Sequence, residues 1–167
     1  MRTLTLTITL AILTAVSTLA RAETFPVIEN KTVLSECGDC HMAFPPQTLP
    51  KAAWQKIMAN LSDHFGEDAS LRPAVVAEVL DYHVNNASDV STVRAAKKWR
   101  ASGTFIRITE APRFIKKHKN CPREVWSHKK VRSKANCLAC HPTMQTNGST
   151  DDNLSFLPAK QRRQCDD

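Results

Sequence analysis

Two five-residue stretches carry most of the chemistry in this sequence. Cys37-Gly38-Asp39-Cys40-His41 and Cys137-Leu138-Ala139-Cys140-His141 both read Cys-x-x-Cys-His. Two thiols three positions apart, with an imidazole directly after the second, share one side of a helical turn. Both thiols can then reach the two vinyl groups of one haem while the imidazole meets its iron, and Cys-x-x-Cys-His is the attachment sequence of c-type haem. Four of the chain's six cysteines lie in these two motifs. The reading is two covalently attached haems c, with thioethers from Cys37, Cys40, Cys137 and Cys140 and proximal iron ligands His41 and His141.

Cys-x-x-Cys also serves zinc and thiol redox sites. His118-x-x-Cys121 followed by Cys137-x-x-Cys140 resembles a ribbon-type zinc site. Zinc gives no reason for a histidine after both cysteine pairs, and Cys37 and Cys40 have no second ligand pair nearby. A thioredoxin-like site expects a βαβ setting, which the sequence does not offer.

An iron held by one histidine takes His or Met as its sixth ligand in an electron-transfer protein. The remaining histidines are His64, His83, His118 and His128. Met42 and Met144 are too close to their own motifs to swing round the iron, and Met58 shares a helix with the better-placed His64. Bis-histidine ligation at both irons therefore leads. His64 is the first haem's candidate; for the second, His118, His128 and His83 stay level. Two closed irons suit a one-electron carrier rather than an enzyme. The alternative is a small haem peroxidase or reductase with one open iron, and a zinc protein comes third.

The elements that must position these groups read as mainly helical. Met1-Arg2, an uncharged apolar run from Leu4 to Leu19 and Ala20-Arg21-Ala22 form a secretory signal peptide over 1–22. That implies export to the periplasm, where disulfides persist. The mature chain divides into a first haem region, 23–100, and a second, 101–167, which can form one compact unit. Its aromatic content is low, and the haem-free chain is expected to fold poorly.

The first motif is expected on a short helix, followed by a stiff Pro45-Pro46 loop. Trp54, Ile57, Met58, Leu61, His64 and Phe65 repeat at helical spacing, so a helix runs from Pro50 to about Phe65. Further helices are expected at 71–84 (capped by Ser70), 89–100, 111–118 (capped by Thr109), after Pro122, and over the second motif (capped by Ser133). Thr104 to Thr109 is the one extended stretch, and the chain beyond His141 reads as a loop. Cys121 and Cys165 lie outside the motifs and pair most simply with each other, strapping the tail over the second haem site.

Charge is uneven. From Glu23 to Val93 four basic residues face ten acidic ones, net −6; from Arg94 to His141 fourteen basic residues face two acidic ones, net +12. Nucleic acid is excluded by export. The basic stretch, with Lys116, Lys117, Lys119, Lys129 and Lys130, suits docking onto an acidic redox partner or transient contact with a membrane surface.

Larger pieces carry a resemblance. The first motif with Met42-Ala43-Phe44-Pro45-Pro46, Leu49-Pro50 with Trp54-Gln55-Lys56-Ile57-Met58, and Asp63-His64-Phe65-Gly66-Glu67-Asp68-Ala69-Ser70-Leu71 resemble the small bacterial dihaem cytochrome c family. So do Arg107-Ile108-Thr109-Glu110, Phe114-Ile115-Lys116-Lys117-His118 and Ala135-Asn136-Cys137. The resemblance implies an all-α periplasmic electron carrier with two bis-histidine haems and distal ligands His64 and His118. His83 and His128 fall where the family has no ligand, and Cys121 and Cys165 are not part of its pattern. It further implies a membrane b-type cytochrome as electron source and an oxygen-binding monohaem cytochrome c as acceptor.

Overall fold

The computed structural model describes residues 23–165; the expected signal peptide lies outside them. Eight short α-helices follow one another: α1 Lys31–Glu36, α2 Lys51–Met58, α3 Pro73–Asn85, α4 Arg94–Trp99, α5 Pro112–His118, α6 Arg123–Trp126, α7 Met144–Asn147 and α8 Ala159–Cys165. Among the described residues the only β pairing is two isolated bridges. The class is all-α, as the sequence predicts. No helix among these residues is long and apolar enough to cross a membrane.

Local chemistry explains most boundaries. The Asn30 side chain accepts the Val33 N–H at 2.9 Å and caps α1, which satisfies one of the orphan donors of a helix start. At α2 the Lys51 N–H donates to Asp89 Oδ1 at 2.8 Å, so its cap comes from 38 residues away. The helix expected to reach Phe65 stops at Met58, and a 3-10 turn, Leu61–Asp63, follows. Asn60, Ser62 and Asp63 are poor helix formers that favour turns. Phe65 (φ 60°) and Gly66 (φ 104°) then reverse the chain in the left-handed region.

Other expectations need correcting. Neither Ser70 nor Thr109 caps a helix, since α3 and α5 start at Pro73 and Pro112 without a side-chain cap. The third helix is only Arg94–Trp99. Residues 104–107 are irregular and lead into a 3-10 turn, Ile108–Glu110, because no neighbouring strand offers the ladder that would hold them extended. The first motif is a turn after α1. The second sits on a single 3-10 turn, Cys137–Ala139, and Ser133 Oγ accepts the Ala135 N–H at 3.1 Å in the turn before it. The tail beyond His141 is not all loop, for it contains α7 and α8.

The core is four small clusters. Ile28, Val33, Ala43, Met58 and Val79 join α1, α2 and α3. Leu49, Ala53, Trp54 and Ala87 lie on the other side of α2, where Trp54 Nε1–H donates to the Pro46 carbonyl at 2.8 Å. Phe25, Met42, Ala95, Trp99, Ala111, Phe114 and Met144 form a cluster drawn from both ends of the chain, with Cys137 and Leu138 packed on it. Val125, Leu154 and Leu157 make the last. The start of the described chain is sewn to the tail: Phe25 N–H donates to the Gly148 carbonyl and Thr150 N–H to that of Glu23, each at 2.9 Å. Gly148 has φ 73°, and a Cβ there would collide with the Phe25 carbonyl.

Candidate haem-binding sites

At the first motif α1 delivers Cys37 and the following turn presents Cys40 and His41. Gly38 is needed in that turn, because a Cβ would strike the Leu34 carbonyl. The His41 ring stacks on Phe44 with centres 4.7 Å apart, and its Nδ1 faces the Met42 carbonyl at 2.7 Å. The reversal at Phe65–Gly66 brings His64 opposite. The His41 and His64 ring centres are 6.1 Å apart and the planes 30° apart. An imidazole nitrogen bonds a metal at about 2 Å and lies about 1 Å from its ring centre, so rings on opposite sides of one ion have centres about 6 Å apart. Burial, then His41, then Arg107 lower the His64 pKa, keeping the neutral, ligating form. Arg107 itself lies over the Phe65 ring at 4.2 Å.

At the second motif the same spacing recurs. The His118 and His141 ring centres are also 6.1 Å apart, with planes crossed at 77°. His118 comes from the last turn of α5. Its ring stacks on Phe114 at 4.1 Å, and its Nδ1 faces the Phe114 carbonyl at 2.9 Å. Such a bond fixes the tautomer and turns Nε2 toward a metal. Burial lowers its pKa too. His141 Nδ1 lies 2.7 Å from Asp152 Oδ1; the pair is not aligned as a hydrogen bond, for Nδ1 has no hydrogen-bond partner, so the contact is the approach of a carboxylate to the ring.

A cavity of about 340 Å³ opens here, lined by Cys137, Cys140, His118 and His141 with Phe44, Trp99 and other apolar side chains. Its rim carries Lys98, Lys117 and Lys134, and the buried Trp99 Nε1–H has no partner. An apolar slot lined by thiols and imidazoles, with cations among its lining residues, fits a haem with its propionates. A second cavity, about 360 Å³, is lined by Cys40, His41 and Met42 on one side and by Val131 to Ser133 and Ala135 to Leu138 on the other, so the two attachment motifs face each other across it.

Burial pushes the Cys37 and Cys137 thiols each up to about 11, away from the thiolate form that thiol exchange uses. Cys121 is bonded to Cys165, with Cα atoms 4.6 Å apart, which removes it from the ribbon-type zinc set. His83 is a core residue: it is 2 % exposed, its Nδ1–H donates to the Val79 carbonyl at 2.7 Å, and it packs on Trp54 at 4.3 Å. His128 packs on Phe156 at 5.1 Å and accepts the Lys130 N–H. Lys116, Lys117, Lys119, Lys129 and Lys130 are all exposed. Asp152 and Arg107 had no signal of their own in the sequence, since nothing there sets them beside an imidazole.

The sequence profile of the family described as dihaem cytochrome c matches residues 33–148, a span that includes both motifs. The chain belongs to the dihaem cytochrome c family. Among solved structures, a dihaem cytochrome c from Rhodobacter sphaeroides is 39 % identical, with a TM-score of 0.63 over 71 % of this chain and 95 % of that one. A dihaem cytochrome c from Shewanella baltica is 36 % identical, with a TM-score of 0.58 over 71 % of this chain and 85 % of that one. No curated protein matches. This dihaem cytochrome carries two covalently attached haems c with their irons, and its family belongs to electron transport.

Proposed function

We propose that this dihaem cytochrome is an exported, periplasmic one-electron carrier with two closed irons, His41 and His64 holding the first and His141 and His118 the second. The observation that carries the reading is the pair of imidazole couples, each with centres 6.1 Å apart. Bound haem iron supplies a reversible one-electron ferric/ferrous couple. The residues do the rest. The four motif cysteines would tether the haems, and each imidazole couple would hold one iron, leaving no place for a further ligand without displacing one. Phe44, Trp99 and Phe114 exclude water. Met42, packed in one cluster with Cys137 and Leu138, keeps the two sites in contact. The reduced protein should show a low-spin c-type spectrum unchanged by carbon monoxide. A clear shift would mean an open iron and favour a peroxidase or reductase.

The partners belong to the same proposal. Electrons come from a membrane b-type cytochrome and pass to an oxygen-binding monohaem cytochrome c with an acidic docking face. What supports a cationic docking face is the exposed run of lysines on α5 and before the second motif. Complementary charge steers encounter and raises association rates at low salt. Reversing Lys116, Lys117, Lys119, Lys129 and Lys130 together should slow electron transfer to such a partner by about tenfold at low salt and flatten the salt dependence. Unchanged kinetics would reject this face.

A further inference from the structure

The chain beyond residue 148 lies outside the span the family profile matches, yet it folds onto the second motif. Asn153 N–H donates to the Cys140 carbonyl at 2.7 Å. Leu154 and Leu157 are buried with Val125, and Cys140 and Cys165 pack on them. The Cys121–Cys165 disulfide closes the strap. Between these anchors stands Asp152, its carboxylate 2.7 Å from His141 Nδ1.

The two proximal imidazoles therefore differ. His41 Nδ1 meets a neutral carbonyl, His64 Nδ1 is buried without a partner, and the nearby charge is the Arg107 cation. His141 Nδ1 meets an anion. A carboxylate this close to the far nitrogen of a ligating imidazole adds negative potential at the metal, which favours the more positive ferric state over the ferrous. Of the lysines at this cavity, Lys117 and Lys134 are exposed and Lys98 is half-buried; water screens the first two most, and of these charges the Asp152 carboxylate is the one in direct contact with the ring. Resting on the reading of His141 as a ligand, we propose that Asp152, carried by the disulfide-closed tail, is a positioning residue that sets the second haem's reduction potential below the first's. Electrons would then rest at the first site, and the second would be the stronger donor.

The test is a redox titration of the mature holoprotein, followed optically and by the ferric electron paramagnetic resonance spectrum. Crossed axial rings give a more anisotropic ferric signal than near-parallel ones, so the 77° and 30° couples are told apart. Asp152→Asn keeps the side chain's size and removes its charge. It should raise only the lower midpoint, changing the ferric/ferrous ratio at fixed potential about tenfold, about 59 mV for one electron, and should move only the anisotropic signal. Asp152→Glu should restore much of the shift. Asp151→Asn removes the same charge one residue away, where the carboxylate accepts the Ser149 hydroxyl at 2.7 Å, and should move the midpoint far less. Equal shifts in the two Asn variants, no shift in Asp152→Asn, or a shift at the other haem would overturn the proposal. The ligand reading is judged separately, on the unsubstituted protein: two low-spin bis-histidine signals uphold it and a single one defeats it, whatever Asp152 does.

Discussion

His64 and His83 are both inward-facing histidines on neighbouring elements, and their ring nitrogens have different surroundings. His83 gives its Nδ1–H to Val79 inside a packed cluster, while His64 leaves Nδ1 bare and stands opposite His41. Replacing His64 with Ala should open one iron, so the reduced spectrum shifts with carbon monoxide at one haem only. His128→Ala should leave that spectrum unchanged. Burial holds His83 below its ordinary pKa of 6.5. The unfolded chain therefore binds more protons in the range below 6.5, and stability falls as pH drops from there toward the lowered folded value. His83→Gln keeps an N–H donor for Val79 and cannot titrate. It should cost about 1–2 kcal/mol at neutral pH and show a smaller loss of melting temperature on going from about pH 7.5 to about pH 5.5.

The helices are too short to stand alone, since isolated helices under about 15 residues are marginal in water. They are fixed by contacts far along the chain: Asp89 caps α2, Gly148 receives Phe25, and Cys121 holds the end of α8. Gly148→Ala puts a Cβ at a left-handed position against the Phe25 carbonyl. It should destabilise the holoprotein by more than about 1 kcal/mol, read as a lower melting temperature. Cys165→Ser reopens a bridge between residues 44 apart. Loop-closure entropy puts its loss at roughly 3–5 kcal/mol, and limited proteolysis should then cut the tail first. Helix existence was legible from periodicity and prolines, as at α3 and α5. Helix ends were not, because remote residues supply what stops or caps them. The 104–109 stretch has strand-like residues but no partner strand.

Over the whole molecule, four small clusters replace one large core, and a cavity of about 340 Å³ opens where two of them meet the second motif. Two large apolar plates would complete these clusters. The chain made without haem attachment should therefore unfold without a cooperative calorimetric transition and lack near-ultraviolet circular dichroism. A sharp transition in the haem-free chain would show that the clusters suffice. The same packing puts Cys40–Met42 and Asn136–Leu138 around one cavity, which brings the two haem sites together though they are 100 residues apart in the chain.

The sequence by itself determined the chemistry, because two Cys-x-x-Cys-His motifs are local patterns whose meaning lies in spacing along the chain. It determined the helical class through composition and period, and the charge asymmetry by simple count. It could not separate His83, His118 and His128 as partners for the second motif, since distance between rings depends on how turns and helices pack. Spacing favoured His64 for the first motif and the family resemblance pointed to His118 as well; the tertiary structure set His64 opposite His41 and His118 opposite His141, each with ring centres 6.1 Å apart. It alone carried Asp152 back to His141, because that approach depends on the Asn153 hydrogen bond, the Leu154–Leu157 cluster and a disulfide acting together on one tail.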